Sequence, residues 1–118
     1  MTVSMTQPVF WILTVLAAGR RHGYEIMRET ATASGGRVSL KVTTLYATLD
    51  RLEREGLIQA DGEEVVSGRA RRYYRITDQG FGKLAAEAEL LEQSAQVARA
   101  RLAAGRPASV SGLAAAAV

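Results

Sequence analysis

A chain of 118 residues with 47% hydrophobic content is long enough for one domain with a modest core and too apolar to stay disordered. Fifteen Lys and Arg against twelve Asp and Glu leave a net charge of +3, a balance that permits a nucleic-acid partner without requiring one. The absence of cysteine and the single histidine exclude disulfides, thiol catalysis, Cys-based zinc sites and His-rich metal centres, so no metal or cofactor is expected.

Thr6 can cap the first predicted helix, with Pro8 in its first turn to fix φ and Gly19 to end it. The intervening VFWILTVLAA is apolar nearly all round, which predicts burial on several sides, by its own domain and by a second subunit. The apolar run from Val9 to Ala18 is too short to span a bilayer and no basic segment precedes it, so no membrane partner and a cytoplasmic location are expected. Trp11 either fills the core or lines a pocket for a flat ligand. The basic cluster Arg20, Arg21, His22 leads into a second helix from Gly23 to about Ala33, with Ile26, Met27, Thr30 and Ala33 facing inward. His22 stands where a helix cap or a phosphate contact is expected, and Ser34 to Gly36 break the helix. Val38-Ser39-Leu40 alternates like a short strand.

The stretch TTLYATLDRLEREGLI, Thr43 to Ile58, organises the rest. At about 100° per residue, Leu49, Leu52 and Gly56 fall within about 40° of Leu45 and form an apolar face. Thr43, Ala47, Asp50, Arg51 and Arg54 lie opposite, with Tyr46 on the flank and Lys41 just before the helix. Small residues let a backbone approach a nucleic-acid groove while Arg and Thr donate to phosphates and base edges. Thr43 or Thr44 is expected at the N-terminus, where free N–H groups favour a phosphate.

Two strands follow, about Leu57 to Asp61 extending through Val66, and Arg72 to Ile76, with Ser67-Gly68 as the turn. Arg69, Arg71, Arg72 and Arg75 make the hairpin basic, suited to a minor groove or a phosphate backbone. Read as protection of an edge strand, the same charges need no ligand. Thr77 caps the last helix, in which Phe81, Leu84, Ala88, Leu91, Ala95, Ala98 and Leu102 alternate at spacings of three and four. Such a heptad seam predicts self-association. Gly105 and Pro107 end it, and the uncharged ASVSGLAAAAV is expected to be a flexible tail. Helix, Gly, strand and basic hairpin in this order predict a mainly α fold with a small β-hairpin: a winged helix-turn-helix over residues 6–76, a dimerisation helix over 77–104 and a tail over 105–118. No nucleophile–base pair, metal cluster or Gly-rich phosphate loop points to an enzyme.

Three motifs, HGYEI at His22–Ile26, TLYATLDRLEREGLI at Thr44–Ile58 and RRYYRITDQG at Arg71–Gly80, resemble the PadR-like transcriptional regulators, in the short branch with a single C-terminal helix. The resemblance implies a homodimer joined through the last helix with help from the first, binding double-stranded DNA at a palindromic operator and usually repressing transcription. Carried over by position, Thr43, Thr44, Tyr46, Ala47, Asp50 and Arg51 belong to the recognition helix. Tyr24 starts the preceding helix, and Arg69, Arg71 and Arg72 lie on the wing. A small-molecule effector is implied as well. Multidrug-sensing members stack planar ligands on a tryptophan of the last helix, but this chain has no aromatic beyond Phe81. Phe10 and Trp11 are then the candidate effector site. Gly19-Arg20-Arg21 replaces the frequent Gly-Pro, predicting a looser, more basic loop, and Ala47 replaces a common Pro. The expected function is a dimeric, sequence-specific, effector-responsive DNA-binding repressor. The alternative is a winged-helix module that turns the same face to a protein partner without specific DNA binding, consistent with acidic Asp61, Glu63 and Glu64 beside the wing.

Overall fold

The computed structural model describes residues 4–105 and is mainly helical, with a three-stranded antiparallel sheet. The elements run α1 (Gln7–Ala17), β1 (Arg21–His22), α2 (Gly23–Ala33), α3 (Val42–Arg54), β2 (Ile58–Val66), β3 (Arg69–Ile76) and α4 (Asp78–Gly105). The chain divides into two compact units between Ala86 and Glu87. The expected tail at 106–118 lies outside the described residues.

In the first unit each boundary has a local cause. Thr6 caps α1, accepting from the Val9 N–H, and Pro8 occupies the first turn. His22 caps α2 through a reciprocal box: its Nδ1 accepts from the Glu25 N–H at 3.3 Å, and the Glu25 carboxylate accepts from the His22 N–H at 3.1 Å. The capping alternative is therefore the one realised at His22. Helix α3 ends in a Schellman arrangement, with Gly56 at φ 76° and the Leu57 N–H donating to the Leu52 carbonyl at 3.0 Å. Ser67 and Gly68, both at positive φ, close β2 and β3 with a two-residue turn, as a type I′ hairpin requires.

One core joins these elements: Val9, Ile12, Leu13 and Leu16 of α1, Ile26 of α2, Leu45, Leu49 and Leu52 of α3, with Leu57, Ile58, Tyr74 and Ile76 from the sheet and its approach. The seven-residue spacing of Leu45 and Leu52, with Leu49 between them, buries that face of α3 as its periodicity predicts.

The expectations for Val38–Leu40, for Ala33 and for the loop before α2 are corrected. Val38–Leu40 is not a strand: Val38 is buried because its N–H donates to the hydroxyl of buried Ser34 at 2.9 Å, which closes the loop without a partner strand. The third strand lies instead at Arg21–His22, in register with Tyr74 and Tyr73. Helix α3 begins at Val42 after an N-cap at Lys41 that makes no side-chain capping bond, so Thr43 and Thr44 stand in its first turn, at the N-terminus as expected. Ala33 is exposed, since α2 ends there and turns away through Gly35 and Gly36.

The loop before α2 is tied rather than loose. Arg20 donates to the Asp61 carbonyl at 2.8 Å, pairs with the Asp61 carboxylate at 3.4 Å and stacks 3.9 Å over Tyr73, while Arg21 pairs with Glu29 at 2.9 Å. Asp61 and Gly62 face the single residue Tyr73, so β2 carries a bulge at this brace.

The start of α4 is seated on the Gly56–Leu57 turn between α3 and β2. The Thr77 hydroxyl donates to the Gly56 carbonyl at 2.6 Å and accepts from the Gly80 N–H at 3.1 Å. In the second unit α4 leaves Leu90, Leu91, Val97 and Leu102 exposed.

Candidate nucleic-acid interface

Burial of Leu45, Thr48, Leu49 and Leu52 fixes the rotation of α3 and turns Thr43, Thr44, Ala47, Asp50, Arg51 and Arg54 outward, where all are exposed. Lys41 is exposed at the head of the helix. Because the Lys41 side chain makes no capping bond to α3, the first N–H groups of the helix remain available to an acceptor. Lys41 and Thr44 share a hollow with Gln7, Pro8 and Arg37.

Beside this face a cavity of about 310 Å³ is lined by His22, Gly23, Tyr24, Tyr46, Arg69, Ala70, Arg71 and Arg72. Three separate elements meet there: the first turn of α2, the flank of α3 and the basic strand β3. Tyr24 and Tyr46 are both exposed, at 59% and 44%. Tyr46 lies directly over Gly23: a β-carbon there would collide with the phenol oxygen and sit 2.8 Å from its Cζ. Glycine at position 23 is what leaves room for the Tyr46 ring over the start of α2.

The wing arginines are not equivalent. Arg69 and Arg71 are exposed and have no ionic partner among the described residues. Arg72 reaches Glu53 of α3 at 3.4 Å, and Arg75 donates to Gln59 at 2.9 Å. Register places Glu63 opposite Arg72 and Glu64 opposite Arg71, so β2 offsets part of the charge of β3. Tyr74 roots the strand in the core. Its burial holds the phenol above the ordinary tyrosine value, partly countered by the Arg72 guanidinium.

The structure thus brings together Tyr24, Tyr46, Arg69, Arg71 and Arg72 around one cavity, and leaves Lys41, Thr43, Thr44, Ala47, Asp50 and Arg51 along α3 beside it. Sequence reasoning missed Gly23 as the residue that admits Tyr46, and it missed Arg20 as the brace of β2. The signal for Gly23 was present in its position directly after the cap, but its neighbour comes from a distant helix. Phe10 and Trp11 are half-buried and edge-to-face at 5.2 Å, with Trp11 Nε1 donating to Gln7 at 3.1 Å. The apolar hollow between α1 and α2 is lined instead by Thr14, Val15, Ala18, Arg28, Glu29, Thr32 and Ala33. Along α4, Phe81, Ala88, Leu91, Ala95, Ala98 and Leu102 are exposed and Leu84 is half-buried. No helix among the described residues is long and apolar enough to cross a membrane.

The family model described as the transcriptional regulator PadR-like family matches residues 12–86. The transcriptional regulator Rv3488 of Mycobacterium tuberculosis is 41% identical over 85 residues, 72% of this chain and 76% of its own. A transcriptional regulator from Clostridium thermocellum superposes with a TM-score of 0.65 at 31% identity, covering 77% of this chain and 88% of that one. Bacillus subtilis PadR, solved in complex with operator DNA, superposes with a TM-score of 0.64 at 25% identity, over 73% of this chain and 48% of its own. With a family match across most of the winged-helix unit and a relative of this identity, the chain belongs to the PadR-like family of transcriptional regulators and is not an enzyme.

Proposed function

We propose that the chain is a dimeric, sequence-specific DNA-binding repressor that responds to a small-molecule effector. The observation that carries this reading is the outward face of α3, with Lys41, Thr43, Thr44, Ala47 and Arg51 exposed beside the cavity shared by Tyr24, Tyr46 and the wing arginines. Helix α3 enters the major groove, and its small residues let the backbone approach the base edges. Arg69 and Arg71 on the wing, with Tyr24 at the start of α2, hold the flanking phosphates. The operator complex of Bacillus subtilis PadR supports the same mode for this chain.

Two copies join through the exposed seam from Phe81 to Leu102, since a helix with this many exposed apolar side chains gains by covering them. Two-fold symmetry then sets two α3 helices in successive major grooves about 34 Å apart on a palindromic operator. An effector held at Phe10 and Trp11 of α1 changes the spacing of the two readers and shifts the population between binding-competent and incompetent dimers. The half-buried, edge-to-face pair of these rings supports that location.

The test is fluorescence anisotropy of a labelled duplex from the gene's own upstream region beside a scrambled duplex, at two salt concentrations. The expected result is tighter binding of the native duplex at two chains per site, weakening steeply with salt as counterions are released. Equal, weak binding of both duplexes overturns the specific-regulator reading for that region.

A further inference from the structure

We propose that Asp50 sets the sequence preference of the protein by reading one cytosine in each half of the operator. The inference rests on the DNA-binding reading above and assigns a role to a side chain that an electrostatic view of the interface leaves unexplained.

Asp50 lies on the exposed stripe of α3 with Thr43, Ala47 and Arg54, all within about 60° of arc at about 100° per residue. It forms no ion pair and no side-chain hydrogen bond among the described residues. Its immediate acidic neighbour on the helix, Glu53, is by contrast engaged with Arg72. Asp50 is therefore an unpaired carboxylate in the middle of the face turned toward a polyanion. Left unanswered, that charge is repelled by the phosphates on both sides of the groove.

The major groove offers a carboxylate two classes of donor, the cytosine N4 amino group and the adenine N6 amino group. At adenine the N7 acceptor adjoins N6 and repels the second carboxylate oxygen; at cytosine the neighbouring edge atom is a C5–H. Cytosine N4 has one acceptor beside it, the paired guanine O6, whereas adenine N6 stands between two, its own N7 and the thymine O4, so cytosine is the base that accepts this charge at the smaller penalty. The short Asp side chain needs close approach of the helix, and Ala47 and Thr43 on the same stripe, both small and exposed, permit it. Arg54, one turn further along the stripe, is the nearby cation for the O6 and N7 acceptors of the guanine opposite.

The experiment is selection of binding sites from randomised duplexes by the full chain and by Asp50→Asn and Asp50→Ala, with dichroism melts and sedimentation to confirm that all three fold and assemble alike. The wild type is expected to require a C·G pair at one fixed position of each half-site, and to lose on the order of tenfold in affinity when it is replaced. Asp50→Asn should move that position to A·T, because an amide matches adenine N6 and N7. Asp50→Ala should leave the position unselected and the rest of the motif intact. The same motif from all three proteins, or an Asp50→Ala variant that binds every duplex more tightly by one factor, overturns the assignment while leaving the regulator reading in place. No enriched motif with the wild type overturns both.

Discussion

Gly80→Ala and Gly82→Ala, two substitutions in the first turns of α4, should shift stability in opposite directions. A methyl at Gly80 would be driven into the Leu57 carbonyl oxygen and would lie 2.7 Å from Ile76 Cγ1 and 3.1 Å from the Leu57 carbonyl carbon. Non-bonded carbons rest at about 3.5–4.0 Å, so relief needs a movement of about 1 Å. The obstructing group is backbone: the same Leu57 carbonyl accepts from the Thr77 N–H at 3.1 Å. Moving the helix instead pulls on the two bonds that seat it, from Thr77 to Gly56 at 2.6 Å and from Gly80 to Thr77 at 3.1 Å. Overpacking costs about 1–3 kcal/mol and each displaced hydrogen bond about 1, while alanine regains about 1 over glycine in a helix. The net expectation for Gly80→Ala is a loss of about 2–4 kcal/mol. At Gly82 no atom of the described residues lies within 4 Å of the added carbon, leaving only the helix preference, a gain of about 0.5–1 kcal/mol. Urea titration followed by dichroism reads both. A Gly80→Ala protein as stable as the wild type, or two variants that shift the same way, would refute the seating of α4 on the Leu57 backbone.

Gly23→Ala should displace the Tyr46 phenol and weaken DNA binding by about tenfold with little change in melting temperature, and should be silent in a Tyr46→Ala background; anisotropy showing an equal loss in both backgrounds excludes the contact. Thr30 is fully buried and its hydroxyl has no hydrogen-bond partner among the described residues, so Thr30→Val should stabilise by about 1 kcal/mol in a denaturant titration, and a destabilised variant would show that the hydroxyl is satisfied. Leu91→Glu should yield folded monomers by sedimentation together with weakened operator binding, whereas a surviving dimer places the interface elsewhere. Because burial raises the Tyr74 phenol, its folded value exceeds its unfolded one. Its contribution is complete below about pH 10 and is lost as pH rises through the folded value. Denaturation midpoints of the wild type should therefore fall more steeply in alkali than those of Tyr74→Phe; parallel curves rule the effect out.

Elements whose evidence lies within a few turns of chain were legible in the sequence. Helix α3 was readable from Leu45, Leu49 and Leu52, the hairpin from Ser67-Gly68, and the long last helix from its repeating spacing. Strand β1 was not, because two residues carry no period and its partners, Tyr73 and Tyr74, lie far along the chain. Val38–Leu40 misled because alternation alone does not distinguish a strand from a loop pinned by a serine hydroxyl. The cavity was legible only as separate parts. Tyr24, Tyr46 and the arginines each carried a local signal, but their convergence depends on Gly23 having no side chain beneath Tyr46. The internal pairing of Arg20, Arg21 and Arg72 was equally hidden, since composition counts charges and does not show which are already engaged.

The shortest strand has a consequence for how the wing comes and goes. By pairing Arg21 and His22 with Tyr74 and Tyr73, β1 closes a long loop, and its contacts form only after that closure entropy has been met. The base of the wing is thereby made part of the same cooperative unit as the start of α2 and melts together with it. Beyond the bulge at Asp61 and Gly62 the hairpin is only two strands wide. That outer segment, which carries Arg69 and Arg71, can open by itself while the rest stays folded, so amide exchange along β3 is graded from a slow root at Tyr73 and Tyr74 to a fast tip.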